Sequence, residues 1–318
     1  MARTFVFIFF LLAYSNLWAR GSTAECSNKI QAQWDVQRHD LKRIYEEIDP
    51  TIDILDDNFP SASVQTRNSS TEAVYTLHGF MGSPAEMRMI GELAFRAGYD
   101  VFSDTIPGFG GTALIANQFN RQQWLDHTRR RLLQLASCYD KVHLVGFSTG
   151  GLLIHRFLYD HPELAKKFSV TLYSPFYDPN SFFLKILGSL TGDIPVGVSV
   201  KTMYKLSKHP DLVVLLKEPE AYLQDIPLAA ANQVFELGHE LQDLQVKNLR
   251  SIASPLMLFL AHGDRVLNFS NSEYMTRVFN KRQLVALPSS IPHHLMVSSV
   301  SASAQAVAKD TLHFIESN

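Results

Sequence analysis

A serine, a carboxylate and a histidine, in that chain order and each at the end of an apolar segment, give this sequence the means to break an acyl bond. Ser148 lies in Gly146-Phe147-Ser148-Thr149-Gly150, after the apolar run Val142 to Val145 and before the helix-like segment Leu152 to Leu158. Strand, sharp turn and helix together put the Ser148 hydroxyl at the tip of a sheet edge. Glycine is needed at 146 and 150, where a Cβ would collide with the neighbouring strand or helix.

A serine hydroxyl is a weak nucleophile at neutral pH. It needs a base to take its proton, a partner that holds the base, and donors aimed at the oxyanion. His78-Gly79-Phe80 follows an apolar strand and leads into a helix. In serine hydrolases built on such turns, this loop gives one backbone N–H and the residue after the nucleophile gives the other. The donors are then the N–H groups of Phe80 and Thr149; His78 is a further candidate site residue, with steadying of the loop as its plainer reading. Asp264 stands just past a strand in Ala261-His262-Gly263-Asp264. A carboxylate there lies on the edge of a parallel sheet where sites form. Three histidines come later: His293, His294 and His313. His313 falls in the last helical segment beside Phe314 and Ile315 and reads as structural. His293 and His294 share a loop after the last strand, and spacing alone leaves the pair open. Plainer readings exist, an idle serine in a glycine-rich turn and a turn-forming aspartate. The required order of all three residue types weighs against them.

The elements that must position these residues alternate. Strands are predicted at 73–77, 99–102, 142–147, 168–173, 255–261 and 283–287. Helices are predicted at 27–48, 84–97 with Ser83 as cap, 119–137, 152–158 and 302–316. Alternation of this kind implies a mostly parallel sheet with helices on both faces. Residues 176–247 interrupt it, showing no clear strand and apolar residues at helical spacing: Phe182, Phe183, Leu187, Leu190, Leu212 to Leu216, Val234, Leu237 and Leu241. This reads as a helical insertion. In the first helix the apolar positions are Ile30, Trp34, Val36, Leu41, Ile44 and Ile48.

The chain has 318 residues, 46% hydrophobic and 19% charged, with a net charge of −2. That suits a globular α/β domain with an insertion and gives no footprint for nucleic acid. The basic run Arg129-Arg130-Arg131 reads as a solvated helix face. Arg3, the apolar run Phe5 to Ala13 and the small residues Ser22 to Ala24 form the pattern of a cleaved export signal. Its apolar core is shorter than the ~20 residues of a membrane helix; the alternative is an uncleaved anchor. Glu25 before Cys26 does not fit a lipoprotein signal. In an oxidising compartment Cys26 and Cys138 can pair or remain two thiols; the spacing leaves both open. No zinc-type ligand spacing is present.

The stretches Leu77-His78-Gly79-Phe80-Met81-Gly82-Ser83-Pro84, Arg88-Met89, Ala97-Gly98-Tyr99 and Pro107-Gly108-Phe109-Gly110, with the serine turn, resemble small bacterial carboxylesterases and monoacylglycerol lipases of the α/β-hydrolase superfamily. The resemblance covers residues 73–318. It implies an α/β-hydrolase fold with a core at 73–175 and 248–318 and a helical cap at 176–247. Residues 1–24 are then a signal peptide and 25–72 an N-terminal helix and connector. In that family the base precedes one or two apolar residues, as in His294-Leu295-Met296, so the resemblance implies His294 as base and leaves His293 as the alternative. The implied protein is an exported serine esterase, periplasmic or extracellular. Its substrate is a small acyl ester of short to medium chain, or one like a monoacylglycerol; no cofactor or metal is required. Transient contact of the cap with a lipid surface is a further expectation, and oligomeric state is open. Competing readings are a thioesterase or acyltransferase, a peptidase with the same triad, and a binding protein that kept the fold.

Overall fold

Successive residues of a strand turn to opposite faces, and here both faces are apolar, which requires a sheet covered on both sides. The computed structural model describes residues 23–52, 63–67, 70–180, 196–209 and 211–318. A long helix, α1 (Thr23–Ile48), comes first. The sheet and its crossovers follow as β1 (Ser63–Gln65), β2 (Glu72–Leu77), α2 (Arg88–Arg96), β3 (Asp100–Asp104), α3 (Ala113–Ala116), α4 (Arg121–Cys138), β4 (Lys141–Phe147), α5 (Thr149–Asp160) and β5 (Phe168–Tyr173). The inserted segment contributes β6 (Gly197–Ser199), α6 (Val200–Ser207), α7 (Asp211–Lys217), β7 (Asp225–Pro227) and α8 (Leu228–Lys247). The chain then returns through β8 (Ile252–Ala261), α9 (Phe269–Met275), β9 (Phe279–Leu287) and α10 (Ala304–Glu316).

Among the described residues, seven strands form one sheet in the order β1-β3-β2-β4-β5-β8-β9. Only β1 is antiparallel to its neighbour; the other pairs are parallel. The fold is thus the mostly parallel sheet expected of an α/β hydrolase. Leu144, Leu172 and Leu258 face the core shared with α1, α4, α5 and α8. Their neighbours Val145, Tyr173 and Phe259 face the opposite layer, with Ile90 and Ala94 of α2 and Val307 and Ile315 of α10.

Several details depart from expectation. The edge strand β1 precedes residue 73, where no strand was predicted; with three residues it carries no periodicity to read. Residues 84–97 do not form one capped helix: Pro84–Met87 is a 3-10 turn, and Ser83 makes no capping bond. The insertion is not purely helical, since β6 and β7 form a small antiparallel ribbon. Its positions Phe182, Phe183, Leu187 and Leu190 lie outside the described residues, as do residues 1–22 of the signal peptide expected at 1–24.

The Arg129–Arg131 run is not a uniformly solvated face. Arg131 is 3% exposed, its guanidinium 3.8 Å from the centre of the Trp34 ring and its Nε 3.4 Å from Asp104. Helix α1 is therefore seated over a buried charge. Ile30 and Trp34 pack into the core as predicted, while Val36 faces solvent. Tyr45 adds an anchor: its hydroxyl accepts the Gly108 N–H at 2.5 Å. A disulfide joins Cys26 of α1 to Cys138 at the end of α4, with Cα atoms 5.6 Å apart. Among the described residues no helix is long and apolar enough to cross a membrane.

Candidate active site

The carboxyl ends of β2, β4 and β8 meet on one edge of the sheet, as the register Leu77 to Gly146 and the shared neighbour β5 require. Ser148 stands there between β4 and α5 with φ 49°. A non-glycine residue in that region costs on the order of 1–3 kcal/mol and persists only where its surroundings hold it. Here the Ser148 N–H donates to Tyr173 O at 2.9 Å, and its carbonyl accepts from Leu152 and Phe176. The flanking glycines are needed for the reason given by the sequence. A Cβ on Gly146 would lie 2.8 Å from the Gly151 backbone, and one on Gly150 would strike the carbonyls of Leu77 and His78.

Asp264 follows β8 in a tight turn. Its Oδ1 accepts the N–H groups of Val266 and Leu267 at 2.8 and 3.1 Å. Its Oδ2 is 2.7 Å from His293 Nδ1, and His293 Nε2 is 3.0 Å from Ser148 Oγ. The carboxylate can only accept, so Nδ1 carries the proton and Nε2 is left to accept from the serine hydroxyl. Burial works against a charged His293 ring, yet the carboxylates of Asp264, Asp211 and Glu86 outweigh it and raise its pKa above the ordinary value.

The expectation of His294 at the base position is overturned by this geometry. His294 Nδ1 is 3.7 Å from Asp211 Oδ1 and has no hydrogen-bond partner among the described residues. Its ring stands edge-on to Tyr222 at 5.5 Å. Adjacent residues of the loop send their rings apart, and only one can reach the serine. His313 is exposed on α10.

His78 is fully buried. Its Nε2 accepts the Ile106 N–H at 3.0 Å and its Nδ1 lies 2.8 Å from Gly79 O. Burial lowers its pKa to about 4, so it is neutral and ties β2 to the loop after β3. Phe80 and Thr149 both line the cleft beside Ser148. Thr149 is the first residue of α5, where backbone N–H groups have no partner within the helix.

The cleft encloses about 930 Å³ of empty space, counting its open mouth. One wall comes from the inserted segment, with Leu212, Leu215, Ile226, Val234 and Phe235. Three polar residues here were not singled out from the sequence. Asp211 lines the cleft and accepts the His293 N–H at 3.3 Å. Glu86 is buried below the His78-Gly79-Phe80 loop and bonded to Tyr222. Glu86 looks like an ordinary acid in a first helical turn, and Asp211 like one opening an apolar helix. Nothing in either pattern marks a partner more than eighty residues away. Among the described residues no cluster of His, Cys, Asp and Glu could hold a metal ion.

Known proteins agree with this architecture. Residues 68–296 match the family model described as serine aminopeptidase, S33. Three solved structures illustrate the likeness. One reported for the metagenome-derived lipolytic enzymes LipS and LipT is 18% identical, covering 82% of this chain and 98% of the other at a TM-score of 0.62. The monoacylglycerol lipase of Paleococcus ferrophilus is 17% identical, covering 81% and 99% at 0.60. A soluble variant of the monoglyceride lipase of Saccharomyces cerevisiae, bound to a substrate analogue, is 13% identical, covering 81% and 91% at 0.63. No curated protein matches the sequence. With the family model spanning most of the chain and the α/β-hydrolase sheet in place, the protein belongs to the serine aminopeptidase S33 family of hydrolases.

Proposed function

We propose that this protein cleaves carboxylic esters through an acyl-enzyme on Ser148. The observation that carries the reading is the line Ser148 Oγ to His293 Nε2 at 3.0 Å and His293 Nδ1 to Asp264 at 2.7 Å. His293 takes the serine proton as Oγ attacks the acyl carbonyl. Asp264 holds the ring in the required tautomer and stabilises its charge. The N–H groups of Phe80 and Thr149 receive the oxyanion. His293 then returns the proton to the leaving alcohol, and water releases the acyl group by the same route.

Ester over amide is supported by the apolar wall from the insertion, which suits a short to medium acyl chain or a monoacylglycerol-like substrate. A peptidase of this family would need a free carboxylate for a substrate ammonium. Asp211, the acidic residue among the described residues lining the cleft, is already engaged with the His293 N–H. Export is supported by the disulfide, which belongs in an oxidising compartment.

A fluorophosphonate probe should label the wild type and leave Ser148→Ala unlabelled. Equal labelling of the two would sink the nucleophile assignment. A series of p-nitrophenyl esters from acetate to laurate would then place the acyl preference. Absence of hydrolysis across the series would reject the ester reading.

A further inference from the structure

Two loops carry the proposed chemistry, and the inserted segment fastens both. The first is the loop after β2. Its Gly79 N–H donates to Glu86 Oε2 at 2.7 Å, and the Tyr222 hydroxyl donates to Glu86 Oε1 at 2.6 Å. Glu86 and Tyr222 are each 5% exposed. Next to them the Leu223 N–H donates to Met81 O at 2.9 Å. Both carboxylate oxygens are thus occupied, one by the insertion and one by the residue just before Phe80.

The second loop carries the base. Its His293 N–H donates to Asp211 Oδ1 at 3.3 Å, across 82 residues of chain. Asp211 is also 5% exposed, with His294 Nδ1 at 3.7 Å and His209 Nδ1 at 3.6 Å. The two attachments meet at His294, whose ring stands between Tyr222 and the base.

We propose that Tyr222 and Asp211 are positioning residues of the reaction: Tyr222 fixes the oxyanion loop through Glu86, and Asp211 fixes the base loop and adds a negative charge beside His293. The proposal rests on the reading of Ser148, His293 and Asp264 as an ester-cleaving triad. Oxyanion donors work only when held where charge develops, and a slack loop loses that advantage without losing the fold. Tyr222 lies one residue relay from the donor loop, so its hydroxyl acts on turnover more than on binding.

The charge of Asp211 has its own signature. The groups facing His293 are the carboxylates of Asp264, Asp211 and Glu86 and the rings of His209 and His294, with Arg265 acting on His209. Burial opposes protonation of His293, and the three carboxylates favour it. Removing one of them lowers the pKa of the base. Asparagine keeps an acceptor for the His293 N–H and removes only the charge.

The test uses the full chain with p-nitrophenyl butyrate, and active sites counted by fluorophosphonate titration. Tyr222→Phe should lower kcat per titrated site about tenfold, a fraction of the 10²–10³ lost with a whole oxyanion donor, with KM within about twofold. Asp211→Asn should move the acid limb of kcat/KM to lower pH. Wild-type kcat per titrated site in Tyr222→Phe, together with an unmoved acid limb in Asp211→Asn, would overturn the proposal. Failure of the wild type to react with the fluorophosphonate would instead overturn the triad reading beneath it.

Discussion

His293 and His294 are neighbours in the chain, yet their rings stand at 89° with centres 5.3 Å apart, and only His293 meets Ser148. The loop thus presents one imidazole to the serine and the other to Asp211 and Tyr222. His293→Ala should lower kcat on an ester by about 10⁴ or more, as losing a triad base does. His294→Ala should stay within about tenfold of wild type. Steady-state kinetics on both variants decides it, and the reverse pattern would restore His294 as base.

The pH dependence follows from the same ring. His293 must be neutral to accept the serine proton, so activity is lost as pH falls through its folded pKa. The surrounding carboxylates raise that pKa. The acid limb of kcat/KM should therefore have its midpoint above the ordinary histidine value of about 6.5. A midpoint at or below 6.5, with a substrate that does not itself titrate, would contradict the arrangement.

Much of this was readable in advance, and the reason lies in how local each signal is. The turn at Ser148 is specified by five consecutive residues and the strand before them, all within reach of a periodicity argument. Asp264 follows the same logic at the end of β8. The choice between His293 and His294 does not, because which ring points inward depends on a turn geometry that spacing does not encode. Glu86 and Tyr222 bond across 136 residues, and no local pattern announces such a pair. Strands β1, β6 and β7 are too short to show a period. Arg131 belongs to a run that looks solvated until α1 is laid over it.

The serine turn leaves no room for a side chain at its last glycine. A Cβ at Gly150 would strike two backbone carbonyls of the β2 end, which cannot swing aside as a flexible side chain can. Gly150→Ala should therefore displace either α5 or the loop bearing Phe80. The expected result is a loss of fluorophosphonate labelling by more than about 10²-fold, comparable with removal of an oxyanion donor. Labelling at the wild-type rate would show that the elbow tolerates a Cβ and that the packing argument is mistaken.

The disulfide should matter more to the folded state than to the site. It closes a separation of 112 residues, for which the chain-entropy model gives about 4–5 kcal/mol. The double change Cys26→Ser and Cys138→Ser should lower the urea midpoint sharply and leave kcat near wild type, because Trp34 and Tyr45 still seat α1. Reductant should lower the wild-type midpoint and not that of the double variant. Equal midpoints for all forms would mean the bridge constrains little in the unfolded chain.

Two buried neutral histidines contribute to the loss of stability in acid. Burial lowers the pKa of His155 to about 3 and that of His78 to about 4. The unfolded chain protonates both near 6.5, so it binds more protons than the native state between those values. Stability is then complete above about 6.5 and falls with decreasing pH until the folded pKa is reached. Each histidine should remove about 3 kcal/mol by pH 4, from 1.36 kcal/mol per pKa unit. His155 bonds to the Tyr177 hydroxyl at 2.6 Å and lies 3.0 Å from the Gln245 amide, so His155→Gln will cost stability at pH 7 as well. The informative quantity is the slope. Between pH 4.5 and 6, the unfolding free energy of His155→Gln should rise with pH less steeply than wild type by about one proton, roughly 1.4 kcal/mol per pH unit. Parallel slopes in urea titrations of the two proteins would show that His155 already carries its proton when folded.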